Sequence, residues 1–234
     1  MFILIIIGIV LLIVISNSSN NSNTLKNKTT DSNVNNLKRE KKECNIEKVL
    51  EKSDLYINLT FKKNWMDYFR VMKLNNVEKL YHFTDRENLE SIKKNGGLYS
   101  WDFCEKNNLS ISKPGGDELS RSLDKRYGLE NYVRLSFSRN HPMMHVAKSQ
   151  NRINNPIILE IDPEVIFWKN SKYSDKNATR NDVIVGEELD NFKGIKFNIA
   201  KQATHFDLAP EDKQYYQAEV LVLEKIPLEF IKNI

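Results

Sequence analysis

Polar and apolar residues alternate near the C-terminus of the chain, in the run Tyr-Tyr-Gln-Ala-Glu-Val-Leu-Val-Leu at residues 215–223. Successive side chains of a strand point to opposite faces, so Gln217 and Glu219 share one face and Ala218 and Val220 share the other. A carboxylate in such a run is costly unless it is paired or takes part in chemistry. Glu219 is therefore a candidate site residue. The alternative is an edge strand whose Gln and Glu side chains face solvent.

A second predicted strand covers residues 79–84 and leads into a helix. Asp85 is a good N-cap for a helix over residues 86–95, and two glycines stop that helix. His82 and Thr84 fall on one strand face just before the turn. Such a histidine is more often structural, but the two side chains together offer two hydrogen-bonding groups to a ligand hydroxyl.

A third strand is predicted over residues 131–138, where the alternation again separates a polar face from an apolar one. Residues 139–145 then form a turn into a short helix, in which Met143 either fills the core or packs against a flat ring. The polar face of this strand holds Tyr132, Arg134, Ser136 and Ser138, and the core face holds Val133, Leu135 and Phe137.

An amphipathic helix is predicted from Asp117, its N-cap, to Arg126, with a glycine as its stop. Leu119 and Leu123 form its buried face. Arg126 either satisfies carbonyls at the helix end or, like Arg121, supplies a planar fork that holds a phosphate.

The rest of the pattern predicts short elements around these four. A long polar loop directly ahead of a strand carboxylate is a candidate for recognising an acceptor. The segments are a strand over residues 98–103 carrying Trp101, a buried strand over 156–161, a helical turn at 163–166, a long irregular connection over 192–212 and a closing helix from Pro227.

The amino-acid composition divides the chain into four segments. Residues 1–16 are almost wholly aliphatic and uncharged, which indicates a signal peptide or membrane anchor. Residues 17–43 form a predicted disordered Asn-rich linker, residues 44–77 a helical preface, and residues 78–234 one folded domain. The protein is expected to be membrane-anchored or secreted, and cytoplasmic if the first segment is not functional.

Charge and cysteine content exclude several classes of protein. Residues 1–77 hold twelve Lys/Arg and seven Asp/Glu, and residues 78–234 hold 23 and 24, so the folded part has a net charge of −1. A nucleic-acid partner would therefore require a local basic patch. Two cysteines, Cys44 and Cys104, fit neither a disulfide framework nor a zinc site. One disulfide and two free thiols both stay open.

Three blocks of sequence, in this order, resemble the DarT family of DNA ADP-ribosyltransferases. They are Y-H-F-T-D-R-E-N-L-x-S-I-x-x-x-G-G-L from residue 81, L-D-K-R-x-G-L-x-N-Y-V-R-L-S-F-S-x-x-H-P-M from residue 123, and Y-Q-A-E-V-L-V from residue 216, followed by I-P-L-E. The resemblance covers most of residues 78–232. It implies an α+β, ADP-ribosyltransferase-like fold, a split antiparallel β core with surrounding helices.

The resemblance also implies roles for single residues. Glu219 would be the catalytic carboxylate that stabilises an oxocarbenium-like transition state, and Arg126, or Arg121 in the same helix, would be the catalytic arginine. His82 and Thr84 would hold NAD⁺, with the remaining candidates around nicotinamide and substrate. These remaining candidates are Tyr132, Ser136, Phe137, Met143 and Gln217.

By the same resemblance, NAD⁺ is consumed as a co-substrate, no metal is required, and the acceptor is a base in single-stranded DNA. A macrodomain antitoxin is the implied partner of a monomeric toxin, with the membrane as a further partner through residues 1–16. Two alternatives stay open: an ADP-ribosyltransferase acting on protein or RNA after export, and a non-catalytic nucleotide- or DNA-binding module.

Overall fold

A six-stranded antiparallel sheet forms the centre of the computed structural model, which describes residues 60–234. A separate two-stranded sheet pairs β2 with β8. The strands are β1 (Leu80–Asp85), β2 (Gly97–Tyr99), β3 (Tyr132–Ser136), β4 (Pro156–Ile161), β5 (Lys172–Ser174), β6 (Val185–Gly186), β7 (Glu219–Leu223) and β8 (Lys225–Pro227).

Helices surround the larger sheet. They are α1 (Trp65–Leu74), α2 (Leu89–Lys94), α3 (Trp101–Lys106), α4 (Glu118–Tyr127), α5 (Pro142–Ser149), α6 (Leu189–Lys193) and α7 (Phe197–Ala200), with 3₁₀ turns at Arg86–Asn88, Pro163–Phe167, Tyr215–Gln217 and Leu228–Phe230. The predicted mixture of helices with a split antiparallel core is confirmed.

The larger sheet is split between β1 and β3. Its order is β4-β1-β3-β7-β5-β6, and the β1–β4 ladder runs over the whole of both strands. Between β1 and β3, in contrast, the only register pair is Tyr81 with Ser136. The two strands therefore diverge from this point, and their polar faces are free to line a cavity instead of packing together.

Local capping explains two of the elements that were predicted. The Asp85 carboxylate accepts the backbone N–H of Glu87 at 3.0 Å and caps the turn after β1. The Asp117 carboxylate accepts the N–H of Ser120 at 2.8 Å and caps α4, which ends at Gly128 with a left-handed φ of 66°. The predicted start of α4 is confirmed, whereas the helix predicted from residue 86 begins as the 3₁₀ turn Arg86–Asn88 and becomes α-helical only at Leu89.

Trp101 lies in a helix and not in the strand predicted over residues 98–103. The strand β2 ends at Tyr99, because the Ser100 hydroxyl accepts the N–H of Phe103 at 3.2 Å and caps α3. The C-terminal prediction was also inaccurate. Residues after Pro227 form a 3₁₀ turn, Leu228–Phe230, and not a closing helix.

The strand predicted over residues 215–223 is shorter than expected. It begins at Glu219, the residue at which both neighbours start to pair: Ser136 of β3 and Ser174 of β5 lie opposite it. Gln217 belongs to the preceding 3₁₀ turn, so the strand alternation does not reach it. The connection over residues 192–212, expected to be irregular, contains α7.

The core on one side of the sheet is aromatic. The α1 residue Tyr68 packs against Tyr173 and Phe192 at centroid distances of 5.5 and 5.8 Å. Phe197 continues the cluster to Phe137, at 5.3 Å from Phe192 and 5.4 Å from Phe137. Helix α1, within the predicted helical preface, therefore belongs to the compact unit Lys62–Ile234.

Several predictions concern segments outside the described residues. These are the aliphatic segment 1–16, the linker 17–43, the start of the preface and Cys44. Within residues 60–234, helices that combine the length and the apolar character needed for a membrane span are absent. Cys104 is a buried free thiol, and burial raises its pKa.

Candidate active site

A cavity of about 380 Å³ opens where the sheet is split. Its walls come from β1, β2, β3, the start of β7, and helices α2, α3, α4 and α5 with the loop between α3 and α4. Apolar side chains predominate, and a few polar groups converge from different elements. This composition is typical of small-molecule and cofactor sites.

Glu219 is the buried carboxylate of this cavity, with 5% of its surface exposed. Its Oε2 accepts the Arg134 guanidinium and the backbone N–H of Ala178, each at 2.9 Å. Its own N–H donates to Ser174 Oγ at 3.2 Å. Within the part of the chain that the structure describes, Oε1 makes no hydrogen bond. One oxygen is thus fixed by the protein and the other is available to a ligand.

Arg134 is the residue that organises the site, and it was not among the predicted site residues. Its guanidinium bridges Glu219 and Asp124, and Asp124 also accepts Trp101 Nε1 at 3.2 Å. Burial acts to lower the pKa of Arg134, but the two carboxylates outweigh it and raise that pKa. Arg134 is therefore a permanent charge shared by β7 and α4.

Two carboxylates share this single guanidinium. Burial raises the pKa of Asp124, and the nearby Glu219 adds to that effect, although Arg134 opposes both. The strand alternation could have revealed Arg134, because it placed this residue on the polar face with Tyr132 and Ser136. The pairing with Asp124 has no comparable signal in the sequence.

His82 joins the two strands across the split. Its Nδ1–H donates to the backbone carbonyl of Arg134 at 2.9 Å, so Nε2 is left as an acceptor. Burial lowers the pKa of His82 and favours the neutral ring. Nearby, Thr84 Oγ1 accepts Asn88 Nδ2 at 3.0 Å, which leaves its hydroxyl proton for another partner.

Seven of the predicted site residues line the cavity. The side chains converge from β1, α4, β3, α5 and β7, which are distant in sequence. They are His82, Thr84, Arg121, Tyr132, Ser136, Met143 and Glu219.

Three of the predicted site residues lie outside the cavity. Arg126 is exposed and rests on the Tyr127 ring, because it projects from a different side of α4 than Arg121. Phe137 packs edge-on against Phe197 in the core. Gln217 precedes β7, as described above, and does not share the face of Glu219.

Leu119, predicted to be buried, is 67% exposed, because its side of α4 meets the cavity.

Within residues 60–234, the structure does not bring together three or more His, Cys, Asp or Glu side chains that could hold a metal ion. The ionic chemistry of the site instead comes from Glu219, Arg134 and Asp124. A fixed carboxylate with one free oxygen is suited to stabilising positive charge that develops on a substrate.

The chain belongs to the DarT family. Residues 81–234 match the family model described as "ssDNA thymidine ADP-ribosyltransferase, DarT". The expected activity is thereby confirmed: the chain is an ADP-ribosyltransferase that acts on single-stranded DNA. No curated protein matches the chain significantly.

Solved structures show the same fold. Thermus sp. 2.9 DarT in complex with ADP-ribosylated ssDNA has a TM-score of 0.56 and 15% identity, covering 67% of this chain and 79% of that chain. Thermosipho africanus DarTG in complex with ADP-ribose also has a TM-score of 0.56, with 20% identity over 66% of this chain and 43% of that chain. Thermus sp. 2.9 DarT in complex with NAD⁺ has a TM-score of 0.50 and 18% identity, covering 67% and 80%.

Proposed function

We propose that this chain transfers ADP-ribose from NAD⁺ to thymidine in single-stranded DNA, with Glu219 as the catalytic carboxylate. The observation that supports this role is that the two carboxylate oxygens of Glu219 differ in their hydrogen bonds. Glu219 Oε2 is held by Arg134 and by the Ala178 N–H, whereas Oε1 is unbonded among the described residues. A preorganised charge of this kind stabilises a transition state without reorganising during the reaction.

The reaction replaces one bond to ribose C1′ by another. The bond from C1′ to the nicotinamide nitrogen breaks, and its electron pair leaves with neutral nicotinamide. The developing positive charge on the ribose is stabilised by Glu219 Oε1, which also accepts a ribose hydroxyl. The thymine ring nitrogen that carries a proton attacks C1′ and forms the new bond, and its proton passes to solvent water.

Arg121 is the arginine that we assign to this acceptor step. It lines the cavity, unlike Arg126, and its guanidinium lies 5.1 Å from the centre of the Trp101 ring. A guanidinium beside the thymine favours the deprotonated ring, and it also binds a phosphate with its planar fork. Because Asp124 of the same helix is held by Arg134, α4 connects this arginine to the Glu219 anchor.

His82 and Thr84 are the groups that we assign to NAD⁺. The unprotonated Nε2 of His82 accepts a ribose hydroxyl, and the Thr84 hydroxyl donates to the ligand while it accepts from Asn88. Tyr132, Ser136 and Met143 form the surrounding wall. Met143 is 36% exposed, so it lies where the cavity meets solvent and suits an adaptable contact with a flat ring.

A local basic patch beside the cavity supports a nucleic-acid acceptor despite the net charge of −1. Arg121 and Lys125 both lie over the Trp101 ring, and Lys125 Nζ is 5.3 Å from the centre of that ring. Lys172 Nζ lies 4.9 Å from the centre of the Tyr132 ring. Aromatic faces with cations above them suit the bases and phosphates of a single strand.

The test uses the full chain with NAD⁺ and two single-stranded oligonucleotides, one with thymidine and one without. Wild type is expected to add one ADP-ribose mass to the first oligonucleotide only. Glu219→Gln is expected to reduce the rate by about 10³-fold, because the amide carries no charge. Glu224→Gln serves as the matched control, since Glu224 is exposed and directly follows the same strand.

Different outcomes lead to different conclusions. Modification of the thymidine-free oligonucleotide would overturn the base assignment alone. Wild-type activity of Glu219→Gln would overturn the catalytic assignment. Transfer to RNA or protein added side by side, with none to DNA, would favour the alternative acceptor.

We also propose a macrodomain antitoxin and monomeric action, on the resemblance to the DarT family, and membrane attachment through the aliphatic residues 1–16. Cell fractionation of the full chain, with and without residues 1–16, tests the attachment. Removal of the DNA-bound ADP-ribose by an added macrodomain tests the partner. Light scattering of the purified chain tests the oligomeric state.

A further inference from the structure

A second cleft, of about 480 Å³, opens beside the cavity. Two of its walls are single side chains of the sheet, Tyr81 of β1 and Ile158 of β4. The other walls are residues 137–140, which follow β3, and residues 201–203, which follow α7. The reaction proposed above uses none of these residues, so the second cleft has no role in it so far.

The second cleft adjoins the cavity at Tyr81, which lines both. Tyr81 lies opposite Ser136 of β3, and Ser136 lies opposite Glu219 of β7. Residues that lie directly opposite each other in neighbouring strands share a face of the sheet, so Tyr81 and Glu219 are on the same face. Neighbouring strands are about 4.8 Å apart, which puts the two backbones about 10 Å from each other. The second cleft therefore begins within a short reach of the catalytic carboxylate.

A buried tyrosine holds the second cleft in shape. Tyr216 is fully buried, its hydroxyl contacts that of Ser138, and it lies 3.1 Å from the carbonyl oxygen of Asn140 and 3.4 Å from that of Ala203. The Asn140 N–H also donates to Ser138 Oγ at 3.2 Å. Both chain segments that form the walls are thus tied to one side chain, and the cleft is formed before any ligand arrives.

The charge of the second cleft is positive. Its lining includes Arg139 and Lys201, and among the described residues of this lining carboxylates are absent. Arg139 is 61% exposed and pairs with Glu160 at 2.9 Å, but Glu160 also pairs with Lys79 at 2.5 Å, so one carboxylate is shared by two cations. Lys201 Nζ is bonded to two backbone carbonyls of the turn after α1. An excess of fixed positive charge suits a phosphate.

We propose that the second cleft binds a nucleotide that flanks the modified thymidine in the same DNA strand, with Arg139 at its phosphate and the partly exposed Tyr81 ring against its base. The proposal rests on the proposed function, because it takes a strand whose thymine lies in the cavity. A cation for the backbone and an aromatic ring for the base are the two parts of a single-strand binding site. Tyr81 borders both spaces, so one strand can occupy them together.

The experiment measures DNA binding without NAD⁺, so that no transfer occurs. Fluorescence anisotropy of a labelled thymidine oligonucleotide is followed over a salt series with the full chain, as wild type and as Arg139→Met. The affinity is expected to fall about 3- to 10-fold, as for one lost hydrogen bond. The slope of the logarithm of the affinity against the logarithm of salt is expected to shrink by about 0.7, the value for one phosphate of a single strand.

Arg70→Met is the matched control. Arg70 is 69% exposed and pairs with Asp67 at 2.8 Å, much as Arg139 pairs with Glu160, but it lines neither the cavity nor the second cleft. Its affinity is expected to stay within about twofold of wild type, with an unchanged slope.

Changes in the DNA locate the contact without disturbing the protein. The base on each side of the thymidine is removed in turn by an abasic nucleotide. On the side that enters the second cleft, wild type is expected to lose about tenfold in affinity, as for one stacked base, and Tyr81→Leu to lose less than about twofold. If Tyr81→Leu does not fold, oligonucleotides that end at the thymidine replace it. The penalty of Arg139→Met should then disappear when the nucleotide on that side is missing.

The proposal is overturned if Arg139→Met binds with the affinity and the salt slope of wild type. It is also overturned if the abasic change costs wild type and Tyr81→Leu equally, or if the Arg139→Met penalty persists with a terminal thymidine on either side. Failure of the proposed function has a different signature. The binding pattern would then be as expected, but addition of NAD⁺ would transfer no ADP-ribose to the oligonucleotide. A wild type that binds no single strand would overturn both.

Discussion

The two sides of the cavity differ in how their polar groups are satisfied. On the β7 side, Glu219 Oε2 accepts two hydrogen bonds, and Arg134 ties it to Asp124 of α4. On the β1 side, His141 Nε2 has no partner among the described residues, and Thr84 meets Asn88 only as an acceptor. On the β7 side the protein thus holds one oxygen of the charged carboxylate and leaves Oε1 free, whereas on the β1 side neutral donors are left without partners among the described residues.

The difference indicates a division of work within the site. A catalytic charge is effective when the protein holds it in place before the substrate arrives, because no reorganisation is then needed. Binding groups have the opposite requirement: a donor already paired inside the protein contributes little to a ligand. The split between β1 and β3 allows both arrangements, since the two sides are held together at Tyr81 and Ser136 and by the His82 bond to Arg134.

Removing the anchor on the β7 side is expected to have the largest effect. Arg134→Met leaves Glu219 and Asp124 without their shared cation in a buried site, and breaking such a pair typically costs about 3–5 kcal/mol of the free energy of unfolding. Arg139→Met removes an arginine that is 61% exposed and pairs with Glu160 at 2.9 Å, which is expected to cost less than about 1 kcal/mol.

Urea denaturation of both variants measures these costs. Arg134→Met is also expected to lose transfer activity, because Glu219 would no longer be held. Equal destabilisation of the two variants would show that the buried contacts of Arg134 contribute no more to the free energy of unfolding than the exposed pair of Arg139. An active, stable Arg134→Met variant would remove the anchoring role altogether.

On the β1 side, Asp85 is expected to make the largest contribution to stability. Its carboxylate is fully buried and accepts backbone N–H groups from Glu87, Asn154 and Asn155 at 2.6–3.0 Å. Asp85→Ala leaves three N–H groups unpaired, at an expected cost of about 2–4 kcal/mol. The matched change Asp117→Ala removes a single capping bond and should cost about 1 kcal/mol.

The pH dependence of this contribution has a definite sign. Burial acts to raise the pKa of Asp85, but the three backbone hydrogen bonds outweigh it and lower the pKa below its usual value. The stability that Asp85 supplies is therefore present above the usual pKa of an aspartate and is lost as pH falls through the lowered value. Thermal unfolding of wild type and Asp85→Ala should converge in acid, and a constant difference would contradict this origin.

Local signals in the sequence were sufficient for the elements that carry the site. The strand over residues 156–161 and the caps Asp85 and Asp117 were predicted correctly, because alternation and capping depend only on neighbouring residues. Ser100 carried the same kind of capping signal for α3, and it was overlooked. The alternation of β3 also placed Phe137 on the core face, which contradicts its assignment to the nicotinamide wall.

The central feature of the site could not be obtained in this way. Arg134 joins Asp124, 10 residues earlier, to Glu219, 85 residues later, so the network depends on how α4, β3 and β7 pack. The start of β7 at Glu219 likewise depends on pairing with Ser136 and Ser174 in two other strands. Periodicity gives the face of a residue within its own element, but not its partners across elements.

The neutral state of His141 is expected to make stability fall in mild acid. The pKa of His141 is about 4 in the folded chain, against 6.5 for a free histidine, because of burial first and then of Arg134 and His205. Between these values the unfolded chain binds the proton and the folded chain does not. Stability is therefore lost as pH falls from 6.5 toward 4, by about 2 kcal/mol down to pH 5.

Chemical unfolding at pH 7 and pH 5 tests this expectation. His141→Phe should lose about 2 kcal/mol less than wild type over this interval, because the titrating group is gone. His145→Phe should follow wild type, since it changes an exposed ring of the same helix and leaves His141 in place. Parallel behaviour of wild type and His141→Phe would show that His141 is charged when the protein is folded.

The smallest expected effect separates the two arginines of α4. Arg121 lines the cavity over Trp101, whereas Arg126 is exposed on Tyr127, although both lie on one helix five residues apart. Arg121→Lys keeps the charge but loses the planar fork, and kcat/KM for NAD⁺ and the thymidine oligonucleotide is expected to fall about tenfold. Arg126→Lys should stay within about twofold, because Arg126 is exposed and is not among the described residues that line the cavity. A tenfold loss in the Arg126 variant alone would mean that α4 turns its other face to the substrate during the reaction, and the cavity described here would then be only part of the site.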